Sequence, residues 1–171
     1  MLKENILPSL VLTAVCTITA ALLVFANAVT EKPIAKARRE NTLKTLSSTF
    51  GEGDYTEIEW KNENVSQTYL KDDGTVIFKI IVSGYNKDSI DLLIGVDANG
   101  IKGIGAIEIS ETKGVGTKVG EKDFLTQFDS ATAADDIEQI DAISGATYSS
   151  DGVKNAAICA LEAFGEYSEE T

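Results

Sequence analysis

One short stretch of the chain places hydroxyl groups, a glycine and an acid directly ahead of an amphipathic helix. In residues 141–150 (DAISGATYSS) these groups form a turn, and apolar residues then recur at helical spacing from Val153 to Phe164. We expect Ser149 or Ser150 to cap this helix and Asp151 to lie in its first turn. Free N–H groups at a helix N-terminus suit an anion such as phosphate. The stretch therefore predicts an anion site at residues 144–147, although a purely structural turn would have the same pattern.

A second stretch, within residues 110–120, is rich in glycine and has no large aromatic or leucine side chain. Its spacing, G-x-G-x-x-x-G, differs from the dinucleotide fingerprint, no βαβ pattern surrounds it, and it lacks the G-K-[ST] ending of a P-loop. A Rossmann or P-loop nucleotide site is therefore not expected. From spacing alone, a plain surface loop is as good an interpretation as a ligand site.

The composition excludes several classes of function. The 171 residues carry 27 acidic against 15 basic side chains, a net charge of −12, which argues against nucleic-acid binding. No histidine is present, so Ser/His and Cys/His catalysis and imidazole metal ligands are excluded. Cys16 and Cys159 cannot hold an iron–sulfur cluster by themselves. We predict no catalytic residues and no metal site, so redox chemistry would need an organic cofactor.

The first part of the chain predicts a membrane anchor. Residues 6–29 form an uncharged run of 24 residues, and about 20 suffice to cross a bilayer as a helix. A cleaved signal peptide is the alternative, since Lys3 precedes the run and Ala26-Asn27-Ala28 resembles a cleavage site. The length of the run favours a retained anchor. Four basic residues follow it at positions 32, 36, 38 and 39, and by charge alone they would place the following domain in the cytoplasm.

The remaining pattern predicts an α+β fold. Residues 32–50 read as a solvated connecting helix with Pro33 in its first turn. Strands are predicted at residues 75–82, 90–96 and 101–109, and because short turns join them they must be antiparallel. The turn signal Asp73-Gly74 precedes the first of these strands. Within the third strand, Gly103 and Gly105 indicate a bulge or the close approach of another element. A short helix (121–128) and a polar surface connection (129–139) follow.

Two of these stretches resemble the signatures of the covalent-FMN domain. This domain occurs in a flavin-carrying subunit of the Rnf ion-translocating oxidoreductase and in a related subunit of the sodium-translocating NADH:quinone reductase. The flavinylation motif of this family is D-x-x-[ST]-G-A-[ST], and residues 141–147 match it at every fixed position. Residues 111–116 keep the second signature, E-T-x-G-x-G, with Lys113 for the usual Pro, Val115 for Leu and no preceding His. The N-terminal apolar run, the Gly84-Tyr85 pair and the total length also fit.

The resemblance implies that FMN is joined through its phosphate to the Thr147 hydroxyl as a phosphoester. A threonine hydroxyl is a weak nucleophile without an activating base, and this chain has no histidine. Attachment would therefore need a separate Mg-dependent flavin transferase with FAD as donor, and Asp141 would belong to its recognition site. Gly145 would permit the tight turn, Ala146 would avoid crowding the phosphate, and Ser144 completes the cofactor-binding motif.

The resemblance also implies that the loop of residues 111–116 lies against the isoalloxazine. Gly114 and Gly116 would allow close backbone approach, while Glu111 and Thr112 would supply polar contacts that tune the flavin potential. The implied organisation is a membrane anchor (residues 1–30), a connecting helix (31–50) and a covalent FMN-binding domain (51–171). The domain would consist of an antiparallel β-sheet with flanking helices.

In function, the resemblance implies an electron-transfer subunit without a complete active site of its own. It would pass electrons, through FMN, to and from other membrane and peripheral subunits of the Rnf complex. That complex couples redox reactions of ferredoxin and NAD to Na⁺ or H⁺ translocation. A single span with no ionisable residue cannot form an ion path. The family's flavin domain lies outside the cytoplasm, and we give this more weight than the basic cluster because the charge rule is statistical.

Other interpretations are retained as alternatives. A free-standing extracytoplasmic FMN electron shuttle, or the related subunit of the sodium-translocating quinone reductase, would use the same chemistry. A pilin-like structural protein also has an apolar helix before a β-rich head, but this chain lacks the pilin processing site. A cofactor-free binding domain is the remaining interpretation.

Overall fold

The computed structural model describes the backbone of residues 2–170 and the side chains of residues 8–170. Helix α1 spans Leu2–Phe50, and five strands follow: β1 (Tyr55–Ile58), β2 (Val65–Lys71), β3 (Val76–Val82), β4 (Ile90–Asp97) and β5 (Gly100–Ile109). The later helices are α2 (Lys122–Leu125), α3 (Ala134–Glu138) and α4 (Thr147–Glu170), with 3₁₀ turns at Gly116–Gly120 and Thr126–Phe128.

The five strands form one antiparallel sheet in the order β1-β2-β3-β4-β5. This confirms the predicted α+β class and the three predicted strands, which correspond to β3, β4 and β5. The Asp73-Gly74 turn joins β2 to β3, with Gly74 at φ +87° and its N–H bonded to the Lys71 carbonyl at 3.0 Å. Strands β1 and β2 were not predicted from the sequence. Their polar composition weakens the alternating pattern, and β1 is a four-residue edge strand.

One face of the sheet is covered by α4 and carries the larger core. Alternate residues of β3 and β4, among them Phe78, Ile80, Leu92 and Ile94, are fully buried against it. Helix α4 presents small residues to this face, and its alanines at positions 156, 157, 160 and 163 are fully buried. Small side chains let the helix lie close to the strands. Nearer its start, a Cβ atom on Gly152 would lie 2.7 Å from the Ser83 carbonyl oxygen, so this part of α4 is also close-packed.

The last turns of α1 cover part of the other face. Leu46 is fully buried in a second cluster with Ile77 and Leu93. The prediction that residues 32–50 form a solvated connecting helix is therefore wrong for the end of that range. The central strands are apolar on both faces, so each face must be covered by another element. The predicted helix start at Pro33 is also wrong: α1 runs through it. The apolar run ahead of it is itself helical, so the proline costs one backbone hydrogen bond inside a longer helix.

The glycines of the central strands explain how α1 reaches this face. A Cβ atom on Gly105 would lie 2.5 Å from Thr49 Oγ1, and one on Gly95 would lie 2.5 Å from the Phe50 ring. Gly95 pairs with Gly103 across β4 and β5, and the register shifts beside that pair. The predicted bulge and close approach are therefore both present, and the approaching element is the end of α1.

The chain divides into two compact units, Met1–Asn41 and Thr42–Thr171. Among the described residues, one helical segment, Pro8–Phe50, is long and apolar enough to cross a membrane, judged only by length and composition. A signal sequence near the N-terminus would pass the same test. The finding is thus weak evidence for a single-pass membrane protein, and it does not determine the side on which the second unit lies.

Candidate functional site

A tight turn at residues 143–146 directly precedes α4. The Ala146 N–H donates to the Ile143 carbonyl at 2.8 Å, and Gly145 has φ +80°. A positive φ at the third position of such a turn is what glycine provides at little cost. Helix α4 begins at Thr147, two residues after that glycine. The predicted cap at Ser149 or Ser150 is therefore wrong, and Asp151 lies beyond the first turn, because the glycine turn starts the helix earlier.

The hydroxyl groups of this segment divide into two pairs. Ser149 and Ser150 are buried and already bonded: Ser149 Oγ donates to Glu111 Oε2 at 2.9 Å, and Ser150 Oγ donates to the Ala146 carbonyl at 3.0 Å. Ser150 Oγ also accepts from the Ile143 N–H at 3.0 Å, which fixes the turn. Ser144 and Thr147 are exposed. Only these two serine and threonine hydroxyls of the segment are accessible to a reagent.

The first turn of α4 offers backbone donors beside Thr147. The first helical hydrogen bond runs from the Ser150 N–H to the Ala146 carbonyl at 2.9 Å. The N–H groups of residues 147–149 precede that bond and have no partner within the helix. They lie at the positive end of a 24-residue helix. An anion attached to the Thr147 side chain would meet favourable donors and a favourable dipole there.

Glu111 joins the glycine-rich loop to α4 and to the loop before β4. It is 8% exposed, and its carboxylate accepts from the Ser89 hydroxyl, from the Asn86 N–H at 3.0 Å and from Ser149 Oγ at 2.9 Å. Burial raises the pKa of Glu111, but these hydrogen bonds and one from the Tyr85 N–H outweigh it and hold the pKa below its ordinary value. Glu111 is thus a buried, charged connector of three segments.

Gly116 allows the loop to pack against this connector. A Cβ atom at this position would lie 2.8 Å from Glu111 Cβ and 2.9 Å from Ser149 Oγ. The loop itself is closed by the Thr112 carbonyl, which accepts from the N–H groups of Val115 and Thr117, each at 3.2 Å. Gly114 lies at the exposed tip of the loop, with a positive φ of +74° and no protein atoms near the position of a Cβ. Its predicted approach to the isoalloxazine stays a prediction.

A pocket of about 160 Å³ lies between the two motifs. Its lining residues are Tyr85, Glu111, Thr112, Val115, Gly116, Gly145, Ala146, Thr147, Tyr148 and Ser149. The structure therefore brings together six of the nine predicted cofactor-binding residues around one concave surface. Ser144, Asp141 and Gly114 do not line it. Asp141 and Ser144 are exposed on the chain that enters the turn, and Gly114 is at the loop tip.

Several residues of the site were not predicted as site residues. Tyr85 and Tyr148 line the pocket and are 73% and 71% exposed as residues. Their ring centroids are 6.4 Å apart in an edge-to-face arrangement. Ser89 and Asn86 support Glu111 from the loop before β4. Tyr148, next to Thr147, could have been noticed in the sequence. The partners of Glu111 lie 22 and 25 residues away from it in the chain, and no local pattern indicates them.

Comparison with known proteins agrees with this geometry. Residues 84–162 match the family model of the FMN-binding domain. The matched segment contains both motifs and every residue that lines the pocket. Together with the antiparallel sheet and its flanking helices, the match shows that an FMN-binding domain is present in this chain. A search of the curated proteins gave no match.

The residues present fit FMN. The cofactor needs a place for its phosphate and a surface for its ring, and the first turn of α4 and the adjoining pocket supply them. Among the described residues, no group of three or more acidic or cysteine side chains is arranged to hold a metal ion. The FMN-binding domain supports a flavin-dependent electron-transfer role for this chain.

Proposed function

We propose that this chain is an electron-transfer flavoprotein that carries FMN covalently, as a phosphoester on the Thr147 hydroxyl. The observation that carries the proposal is the position of that hydroxyl. Thr147 is exposed, it is the first residue of α4, and it lines the pocket formed by the two motifs. Ser149 and Ser150 are buried and bonded within the protein, and Ser144 lies outside the pocket lining.

Each residue of the site then has a role toward the cofactor. The N–H groups of residues 147–149 would hold the phosphate oxygens, and Gly145, at φ +80°, forms the turn that leads to the exposed Thr147. The loop that contains Thr112 and Gly116 lines the pocket and would lie against the isoalloxazine. When bound, FMN supplies one- and two-electron redox chemistry, and the protein supplies orientation and electrostatics.

Maturation requires another protein. The chain has no histidine, and the pocket around Thr147 is lined by no lysine or arginine that could activate its hydroxyl. A Mg-dependent flavin transferase with FAD as donor therefore attaches the cofactor. We propose that Asp141 and Ser144 contact that transferase; their exposure before the turn and their position outside the pocket lining support this.

In its cellular setting, we propose that the protein is the covalent-FMN subunit of an Rnf complex. It is a non-autonomous subunit of a translocase that couples ferredoxin and NAD redox reactions to Na⁺ or H⁺ movement. Support comes from the FMN-binding domain and from one apolar helix, among the described residues, that is long enough to anchor the protein in the cell membrane. The flavin domain lies on the extracytoplasmic side and exchanges electrons with neighbouring membrane and peripheral subunits.

The test of covalent attachment is co-expression of the full chain with a flavin transferase, followed by denaturing electrophoresis. The wild type is expected to give a fluorescent band, and Thr147→Ala is expected to lose it completely because no oxygen remains to be esterified. Thr56→Ala is the matched control: it removes an exposed threonine hydroxyl on β1, outside both motifs and the pocket lining, and should remain fluorescent. A fluorescent Thr147→Ala band, or a dark wild-type band, contradicts the proposal.

The test of complex membership is separate. Extraction in a mild detergent and affinity purification of the tagged chain should recover the other redox subunits in stable stoichiometry. Recovery of a flavinylated chain alone would instead identify a free-standing electron shuttle.

A further inference from the structure

We propose that Tyr85 and Tyr148 form the wall against which the isoalloxazine ring packs, so that they restrict the motion of the tethered flavin. This inference rests on the proposed covalent attachment at Thr147. It assigns the ring-holding function to two side chains that lie outside both sequence motifs.

The two tyrosines are unusual for their exposure. In the unit Thr42–Thr171, five large hydrophobic side chains of the described residues are substantially exposed: Leu43, Ile81, Tyr85, Val115 and Tyr148. Three of these, Tyr85, Val115 and Tyr148, line the same pocket. Single exposed apolar residues are ordinary, but a cluster at the mouth of a concave site indicates a binding surface.

The size of the pocket supports the same conclusion. Sites that enclose a cofactor-sized molecule usually have volumes of about 300–1,000 Å³. The pocket here measures about 160 Å³, too little to enclose the isoalloxazine and the phosphate chain together. A flavin tethered at Thr147 must therefore extend over the rim, and the rim consists of the exposed tyrosine rings and Val115.

The arrangement of the rings suits a flat aromatic partner. Tyr148 follows Thr147 in the first turn of α4, whereas Tyr85 belongs to the loop before β4, and their rings meet edge to face at 6.4 Å. The backbone under Tyr85 is fixed, because its N–H and that of Asn86 bond to the buried Glu111 carboxylate. Two rings on separately anchored segments form one aromatic surface, and aromatic pairs favour offset or edge contacts of this kind.

A partly exposed flavin is also appropriate for an electron carrier. One side of the ring packs on the protein, and the other remains accessible to a redox partner. Removing the wall would leave the covalent bond intact but would free the ring to move about its flexible ribityl chain.

The test measures steady-state fluorescence anisotropy of the flavin in the full-length, flavinylated protein, with flavin content checked by mass spectrometry. In the wild type, the flavin fluorescence should have the anisotropy expected of a group that rotates only with the whole protein. In the double variant Tyr85→Ala/Tyr148→Ala, the molecules that carry covalent FMN should show an anisotropy lower by about twofold, because ring motion on the nanosecond timescale becomes possible. Tyr85→Phe/Tyr148→Phe keeps both rings and should retain the wild-type value.

Ile81→Ala is the second control, since Ile81 is an exposed apolar residue of the same unit that does not line the pocket. It should leave the anisotropy unchanged. Equal anisotropy in the wild type and the double alanine variant, or a mobile flavin in the wild type, overturns this inference alone. A wild type that carries no covalent flavin overturns the proposed function and this inference with it.

Discussion

Thr147 and its neighbouring hydroxyl residues have similar chemistry but different surroundings. Ser149 and Ser150 each use their oxygen to hold the fold, one by bonding Glu111 and the other by closing the turn. Thr147 is exposed at the protein surface, at the start of a helix. We therefore expect burial and hydrogen bonding to exclude Ser149 and Ser150 from flavin attachment, although their hydroxyls have the same chemistry as that of Thr147.

The lowered pKa of Glu111 leads to a second prediction at the scale of single residues. Its pKa in the folded protein lies below the ordinary value of 4.5, so the ionised carboxylate stabilises the fold above that pH. This contribution is lost as the pH falls through the lowered pKa. Glu111→Gln should reduce the free energy of unfolding at pH 7 by about 1–2 kcal/mol, because a charged acceptor is replaced by a neutral amide.

The difference between wild type and Glu111→Gln should shrink when urea unfolding is repeated at steps from about pH 7 down to about pH 3, a range that brackets the ordinary carboxyl pKa. Glu108→Gln is a suitable control, since Glu108 lies on β5 and is exposed. A stability difference that stays constant across this pH range would show that the carboxylate charge at Glu111 is not what stabilises the connector.

At the scale of elements, the site depends on three segments that meet at Glu111: the loop before β4, the glycine-rich loop and the first turn of α4. Gly116 lies where two of them touch. Gly116→Ala should destabilise the protein by about 1–3 kcal/mol and reduce flavin loading, because a methyl group would displace Glu111 or Ser149.

Gly165→Ala is the matched control. Gly165 lies within α4 with no atom near its missing side chain, so alanine there should be neutral or slightly stabilising. Thermal unfolding and flavin content of the two variants, measured side by side, test the prediction. Equal stability of both variants would mean that the contact at Gly116 is not tight enough to position the loop.

The elements also show what the sequence could and could not predict. Strands β3–β5 were predictable because their apolar runs are bounded by clear turn residues, and the start of α4 was misplaced by only a few residues. The packing of α1 on the sheet was indicated only by Gly103 and Gly105. These glycines predict that another element approaches the strand, but not which element it is. The Tyr85–Tyr148 contact and the Ser89–Glu111 bond depend on tertiary proximity, which no periodicity reveals.

At the scale of the whole molecule, the composition and the two units lead to a prediction of topology. The first unit contains the apolar helix, and the second contains the FMN-binding domain, followed by an acidic C-terminal segment. We expect the second unit to be extracytoplasmic, despite the basic residues that follow the apolar run. A C-terminal alkaline phosphatase fusion should be active in a bacterial host, and a C-terminal green fluorescent protein fusion exported by the same route should be dark.

The reverse pattern of these fusions would place the FMN domain in the cytoplasm, in agreement with the charge rule. It would leave covalent attachment at Thr147 untouched but would contradict the proposed position in the complex. Truncation of the fusion after residue 40 provides the control, because it reports the orientation of the anchor without the folded domain.

The central claim is that Thr147 carries the flavin. The most direct measurement is mass spectrometry of the protein purified after co-expression with a flavin transferase, with fragmentation of the proteolytic peptide that spans residues 123–154. We predict one added FMN phosphoryl group per chain, and fragments that locate it on Thr147. Localisation of the added mass on Ser144 or on any other residue, or an unmodified peptide from a fully loaded preparation, would contradict the account.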